Sequence, residues 1–349
     1  MKENKKVYLE AVRIIAVLLV IFNHTDGSFY YTLPCNIVTY LYSLILTVIC
    51  RMAVPLFFMV SGALLLAKEE SLSDLFKKRI ARMAMVLVAV SLLYYSFDMA
   101  RGRIEAPGAG DFLSRLAGNG IRESFWFLYT YICALLLLPF FRKAAPYLNK
   151  RLILYLVGLK AVFDLILPLI GLITGAAFSF DAGFVSGCYY YMFLGYYLNR
   201  EGEKEAVGNT KEQTNFDVCK AAVLLAGCVA LNAVLVYGLK QVTGNYEVSA
   251  LDYFVFLTAP LTFIIIKKCM DKVTDKSPGG KIIVAIGSCV FGIYLFDNFV
   301  RWQLLPVYLF LSEKTVGVIA NSVYVALAFA GGFIYTWILR KIPVIRKYL

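Results

Sequence analysis

Apolar residues in this chain come in long runs rather than in alternation. Ten runs near or above the length that crosses a bilayer recur between short polar segments. They cover 7–24, 37–67, 80–98, 124–141, 152–174, 183–198, 218–239, 251–266, 282–300 and 316–339. An apolar run of about 20 residues reads as a transmembrane helix. The pattern therefore predicts an all-α polytopic membrane protein of about ten transmembrane helices, forming a single domain over 1–349. The second run is interrupted by Arg51 and Pro55, which predicts a kink there. No internal repeat and no appended soluble domain is visible. The longest connections, 99–123 and 199–217, run to about 20 residues, and the second reads as a solvated linker.

Composition strengthens the class. The chain is 60% apolar and 17% charged, with a mean hydropathy of +0.71, which excludes an ordinary soluble domain. Aromatic residues make up 15%, in keeping with membrane interfaces. The net charge of +12 would suggest nucleic acid in a soluble protein. Here the basic residues fall in alternate connections: 25 Lys and Arg on one side of the ten runs against seven on the other. The positive-inside rule then places both termini in the cytoplasm and the chain in the plasma membrane, with the bilayer rather than nucleic acid as its partner. The lysines before the first run imitate a secretory signal, but no small-residue cleavage site follows and the run carries Arg13. It reads as a retained first helix. The eight cysteines include no CxxC. They suggest packing residues, not a metal or redox site.

Charges inside apolar runs are the candidates for chemistry. The first run holds Glu10, Arg13 and the only histidine of the chain, His24. Arg13 and His24 are eleven residues apart, three helical turns plus about 20°, so they share a face about 16 Å apart. Histidine is the side chain suited to moving a proton near neutral pH. The plainer alternative has Arg13 snorkelling inward, paired with Glu10, and His24 among headgroups. Arg79 and Arg82, three apart, suit a phosphate or pyrophosphate. They also serve as orientation signal or lipid contacts. Arg51 stands beside Pro55, where freed carbonyls or a lined cavity would accommodate it. Asp98, Glu123 and Asp297 lie at outward ends, and any of them could orient His24. Asp297 has Arg301 one turn later and could equally be a plain ion pair. Lys160 and Asp164 read as a neutralised structural pair.

Five motifs in order then resemble the membrane-bound acyltransferase 3 family, whose members acylate cell-envelope glycans and some small molecules. They are Arg13 to His24 within Tyr8-Leu-Glu-Ala-Val-Arg, Phe57-Phe-Met-Val-Ser61-Gly62, the Arg79–Arg82 pair, Trp126-Phe-Leu, and Ser288-Cys-Val-Phe-Gly-Ile-Tyr294-Leu. The resemblance covers the full length. It implies an O-acyltransferase with no permanently bound cofactor or metal. Acetyl-CoA or another acyl-CoA would be the cytoplasmic co-substrate, its phosphates held by Arg79 and Arg82. The acceptor would be an envelope glycan or a small hydroxylated molecule at the outer face. His24 would act as base or carry the acyl group, with Arg13 or Arg51 facing the oxyanion and Glu10, Ser61, Trp126 and Asp297 in support. Two positions depart from the family: the late element commonly ends in histidine where this chain has Asp297, and Glu10 stands where aspartate is frequent. The chain ends at Leu349, after the tenth run, so transfer is expected at the membrane domain itself.

Two other readings compete. A transporter or flippase of a small polar substrate or glycan would use the broken second run. A scaffold of an envelope-synthesis complex would tolerate loss of His24. The sequence leaves the acceptor, the acyl group and the oligomeric state open.

Overall fold

The computed structural model describes residues 6–25, 35–175, 187–206, 217–244 and 248–349. All regular structure among them is helical. Seven helical stretches are long and apolar enough to cross a membrane, and a bent pair makes an eighth. The spans are α2 with α3 (Ile37–Cys50, Ala53–Leu65), α4 (Leu72–Ala100), α6 (Glu123–Tyr147), α7 (Lys150–Thr174), α9 (Val218–Thr243), α10 (Ala250–Cys269) and α13 (Gly317–Leu339). The bent pair is α11 (Pro278–Gly287) and α12 (Val290–Lys314), which meet at 56°.

Length and composition thus supply seven or eight crossings where ten runs were expected. The described parts of the two remaining runs form helices that fall short by that measure. α1 (Val7–Asn23) has 17 residues, about 25 Å. α8 (Tyr189–Ala206) ends in a polar stretch from Asn199 onward. A short helix, α5 (Ala109–Ala117), lies in the 99–123 connection, where no element was expected. Its apolar face is only two turns long, too brief to register as a periodic run.

Local chemistry sets most ends. Asn36 accepts from the Thr39 amide and opens α2, and Asn149 does the same for α7 through Leu152. α9 closes on Gly244 in the left-handed conformation, φ 72°. The long second run remains one span, and its helix gives way to a turn at Arg51 and Met52. Pro55 then falls in the first turn of α3, where its missing N–H costs no helical bond. The α11–α12 break at Ser288 and Cys289 is sharper than the continuous 282–300 helix expected. Arg340 Nη1 donates to the Ser288 carbonyl at 2.8 Å and its hydroxyl at 2.6 Å, satisfying backbone that a straight helix would pair internally.

The centre of the bundle is α1, α3 and α8. Val12, Ala16, Val17 and Ile21 of α1 are fully buried, as are Leu56, Phe58 and Met59 of α3 and Met192 of α8. α3 and α8 approach through reciprocal glycines. A Cβ on Gly62 would sit 1.9 Å from the Met192 carbonyl oxygen, and one on Gly195 would sit 2.0 Å from that of Met59. Small residues let membrane helices close to backbone contact. The Phe-Phe-x-x-Ser-Gly motif therefore has a packing reason: Gly62 is the contact point, and Ser61 bonds back to the Phe57 carbonyl at 2.9 Å within its own helix.

Candidate active site

His24 caps the C-terminus of α1, with its amide on the Val20 and Ile21 carbonyls. That position releases its ring from the α1 packing face. Its Nδ1 lies 2.8 Å from Oδ2 of Asp297. Asp297 is 3% exposed and sits on α12. One turn later, Arg301 Nε donates to the other carboxylate oxygen at 2.9 Å. The Arg301 Nη1 donates in turn to the His24 carbonyl at 2.5 Å, and its own carbonyl accepts from Tyr324 at 2.6 Å. These contacts close a ring: imidazole, carboxylate, guanidinium and the histidine backbone. Both carboxylate oxygens are engaged, so Asp297 has one orientation available. A carboxylate on Nδ1 selects the tautomer whose basic nitrogen is Nε2. Asp297 is thus both an ion pair with Arg301 and the partner of His24. Asp98 is otherwise occupied, by Arg122 at 2.6 Å and Arg103 at 3.4 Å.

His24 borders a cavity of about 540 Å³, a size ordinary for small-molecule sites. Asn23, Arg51 and Trp126 also line it, as do Tyr191 and Tyr294. So do Lys160, Asp164 and Asp252, three charged groups the sequence left out of the site. Lys160 Nζ is 2.6 Å from Asp164 Oδ2, and Lys160 is 1% exposed. Arg51 Nε is 3.8 Å from Asp252 Oδ1. A π-helical turn, Val162–Ile166, carries Asp164. Such turns concentrate at functional sites. Charged groups within an apolar span, as Lys160 and Asp164 are, are costly unless used. The depth of Lys160 and Asp164 within an apolar run was a signal in the sequence. Asp252 gave none, because it stands at the edge of its run.

A family model for the acyltransferase domain numbered 3 matches residues 6–341, essentially the whole chain. The chain belongs to the acyltransferase 3 family. No curated protein and no solved structure matches it. Membership makes it a membrane acyltransferase, and so an enzyme.

The remaining motif residues of this acyltransferase are dispersed. Arg13 Nη1 pairs with Glu10 at 3.0 Å, and among the described residues lining the cavity Arg13 is not found. Glu10 in turn lies against α11, where a Cβ on Gly287 would meet its Oε2 at 2.4 Å. The shared face of Arg13 and His24 therefore divides: its N-terminal end meets α11 and its C-terminal end meets α12. Arg79 and Arg82 also diverge. Arg79 Nε donates to Glu70 Oε2 at 2.7 Å, and Arg142 Nη2 joins it on the same oxygen at 3.0 Å. Arg82 instead donates to the Tyr348 carbonyl at 3.1 Å. Burial works to raise the Glu70 carboxyl, but the hydrogen bonds and charges of Arg79 and Arg142 outweigh it and hold it below the usual carboxylate range. Arg142 and Glu70 were missed because nothing in their spacing links 65, 70, 79 and 142.

Proposed function

We propose that this enzyme transfers an acyl group, acetyl in the simplest case, from cytoplasmic acyl-CoA to a hydroxyl of an envelope or exopolysaccharide sugar. The chain lies in the plasma membrane with both termini in the cytoplasm. His24 is the general base and Asp297 its orienting carboxylate. The observation that carries this reading is the 2.8 Å contact between them at the wall of the cavity.

In this scheme Nε2 of His24 takes the proton of the acceptor hydroxyl as its oxygen attacks the thioester carbonyl. Asp297 faces the imidazolium that forms. Arg51, which lines the same cavity, opposes the charge growing on the carbonyl oxygen. The carbon–sulfur bond then breaks, and the departing thiolate takes the proton from His24. The products are the ester and free CoA. Arg13, with Glu10 as its partner, holds the inner half of α1 in place. The phosphates of the donor are assigned to the basic mouth around Arg79 and Arg82, with Arg142 beside Arg79. Trp126 offers an indole face to the acceptor. In the transport alternative the break at Arg51 was the supporting feature; here that break brings Arg51 into the cavity of His24.

The test is transfer of label from radioactive acetyl-CoA into envelope polysaccharide, in membranes holding the native enzyme or His24→Ala. Incorporation by the native enzyme that falls about 10²–10⁴-fold in the variant supports a positioned base. Equal incorporation in both sinks His24 as the base.

A further inference from the structure

The turn of α12 that carries Asp297 is gripped by a side chain from another helix. Tyr94 of α4 is 2% exposed. Its hydroxyl donates to the Leu295 carbonyl at 3.1 Å and accepts from the Phe299 amide at 3.2 Å. Residues 295 and 299 are the pair that an α-helix joins directly, N–H to the carbonyl four residues back. The hydroxyl therefore bonds to both ends of that rung, and the rung brackets Asp297. The ring itself is clamped: Phe125 meets it edge-on at 5.6 Å, and the Arg122 guanidinium lies 4.7 Å from its centroid. Arg122 is fixed by Asp98 and by the Ile121 carbonyl at 2.7 Å.

We infer that Tyr94 is a positioning residue for the reaction: its hydroxyl, bonded to both ends of the 295–299 rung of α12, places the Asp297 carboxylate against Nδ1 of His24. The inference rests on the His24–Asp297 reading above. With phenylalanine at 94 the packing of the ring is kept, but both bonds are lost and the turn is no longer tied to α4. Asp297 then shifts relative to a histidine that is held by α1. Misplacement on the scale of 1 Å can lower a rate on the order of 10²-fold.

The chain has one histidine, so labelling with ¹⁵N-histidine gives one pair of ring signals, and these report the tautomer without any substrate. The experiment compares the native enzyme, Tyr94→Phe, Asp297→Asn and Phe97→Leu, in detergent or nanodiscs, by ¹⁵N spectroscopy and by acetyl-CoA turnover. Phe97→Leu is the packing control, because Phe97 meets Phe299 at 5.5 Å from the same helix but makes no bond to the rung. The native enzyme is expected to show a single tautomer protonated at Nδ1. Tyr94→Phe is expected to show a mixture, with kcat lower by roughly 10–100-fold and KM for acetyl-CoA unchanged. Phe97→Leu is expected to leave the tautomer intact. A native-like tautomer with kcat within about twofold in Tyr94→Phe would overturn the inference, as would equal losses in Tyr94→Phe and Phe97→Leu. If Asp297→Asn leaves the tautomer unchanged, the dyad itself is wrong, and the Tyr94 inference falls with it.

Discussion

Lys160 is a lysine with almost no exposure, paired at 2.6 Å with Asp164 on the wall of the cavity. Removing one partner of such a pair leaves a buried charge with nothing to neutralise it. Lys160→Met is therefore expected to destabilise the protein by about 3–5 kcal/mol, read as a lowered melting temperature in detergent. The double variant Lys160→Met with Asp164→Leu should recover most of that loss, since an apolar pair of similar volume is often tolerated. A double variant as unstable as the single would show that the cost lies in shape rather than charge. The residues of the site were legible one at a time, because a charge or a histidine in an apolar run is conspicuous. Their pairing was not. Asp297 and His24 are 273 positions apart, and three outward-end carboxylates looked equivalent until the helix neighbours were known. Arg13 shows the opposite case: sequence spacing put it on the face of His24, and packing gave the two ends of that face to different helices.

At the level of helices, the runs predict where segments lie but not how closely they pack. The reciprocal contact of Gly62 and Gly195 sets the α3–α8 spacing. A methyl group at either position would be driven onto a carbonyl of the facing helix, which cannot yield as a side chain tip would. Gly62→Ala and Gly195→Ala are each expected to cost at least about 1–3 kcal/mol, the range for overpacking. The measurement is the thermal melt, together with the yield of folded protein. Because both glycines press on the same interface, the double variant should lose less than the two losses added. Strict additivity would argue that the two sites are independent. Arg51 and Pro55 visibly interrupted the second run, but the break at Ser288 lay in a run that looks continuous in hydropathy, since apolar content is blind to where the backbone ladder is interrupted. Pro55 marked the first break to within a turn. The second had only Gly287 and Ser288 as punctuation, and the group that satisfies its freed carbonyl, Arg340, comes from the end of another helix 52 positions away.

The two ends of the bundle differ in chemistry. The mouth near Glu70, Arg79, Arg82 and Arg142 is cationic; the His24–Asp297 pair lies toward the opposite end of α1 and α4. The cavity with Arg51, Lys160, Asp164 and Asp252 reaches from His24 to the helix break at Arg51. Glu70 ties the first mouth together, since it accepts from Arg79 of α4 and Arg142 of α6, while Arg142 Nε also donates to the Leu65 carbonyl at the end of α3 at 3.0 Å. Its carboxyl is held below the ordinary value of 4.5. A carboxyl depressed in the folded state binds fewer protons there than in the unfolded chain, so stability falls as the solution is acidified. The contribution of Glu70 is complete above its unfolded value and is lost as the pH drops through the lower, folded one. Glu70→Gln lacks it at every pH. The difference in melting temperature between native protein and Glu70→Gln should therefore be constant from neutral pH down to about pH 5 and shrink below about pH 4.5. A difference that persisted unchanged at pH 3 would mean that the substituted amide disturbs the mouth through shape, and that the two arginines do not depend on an anion to stay together.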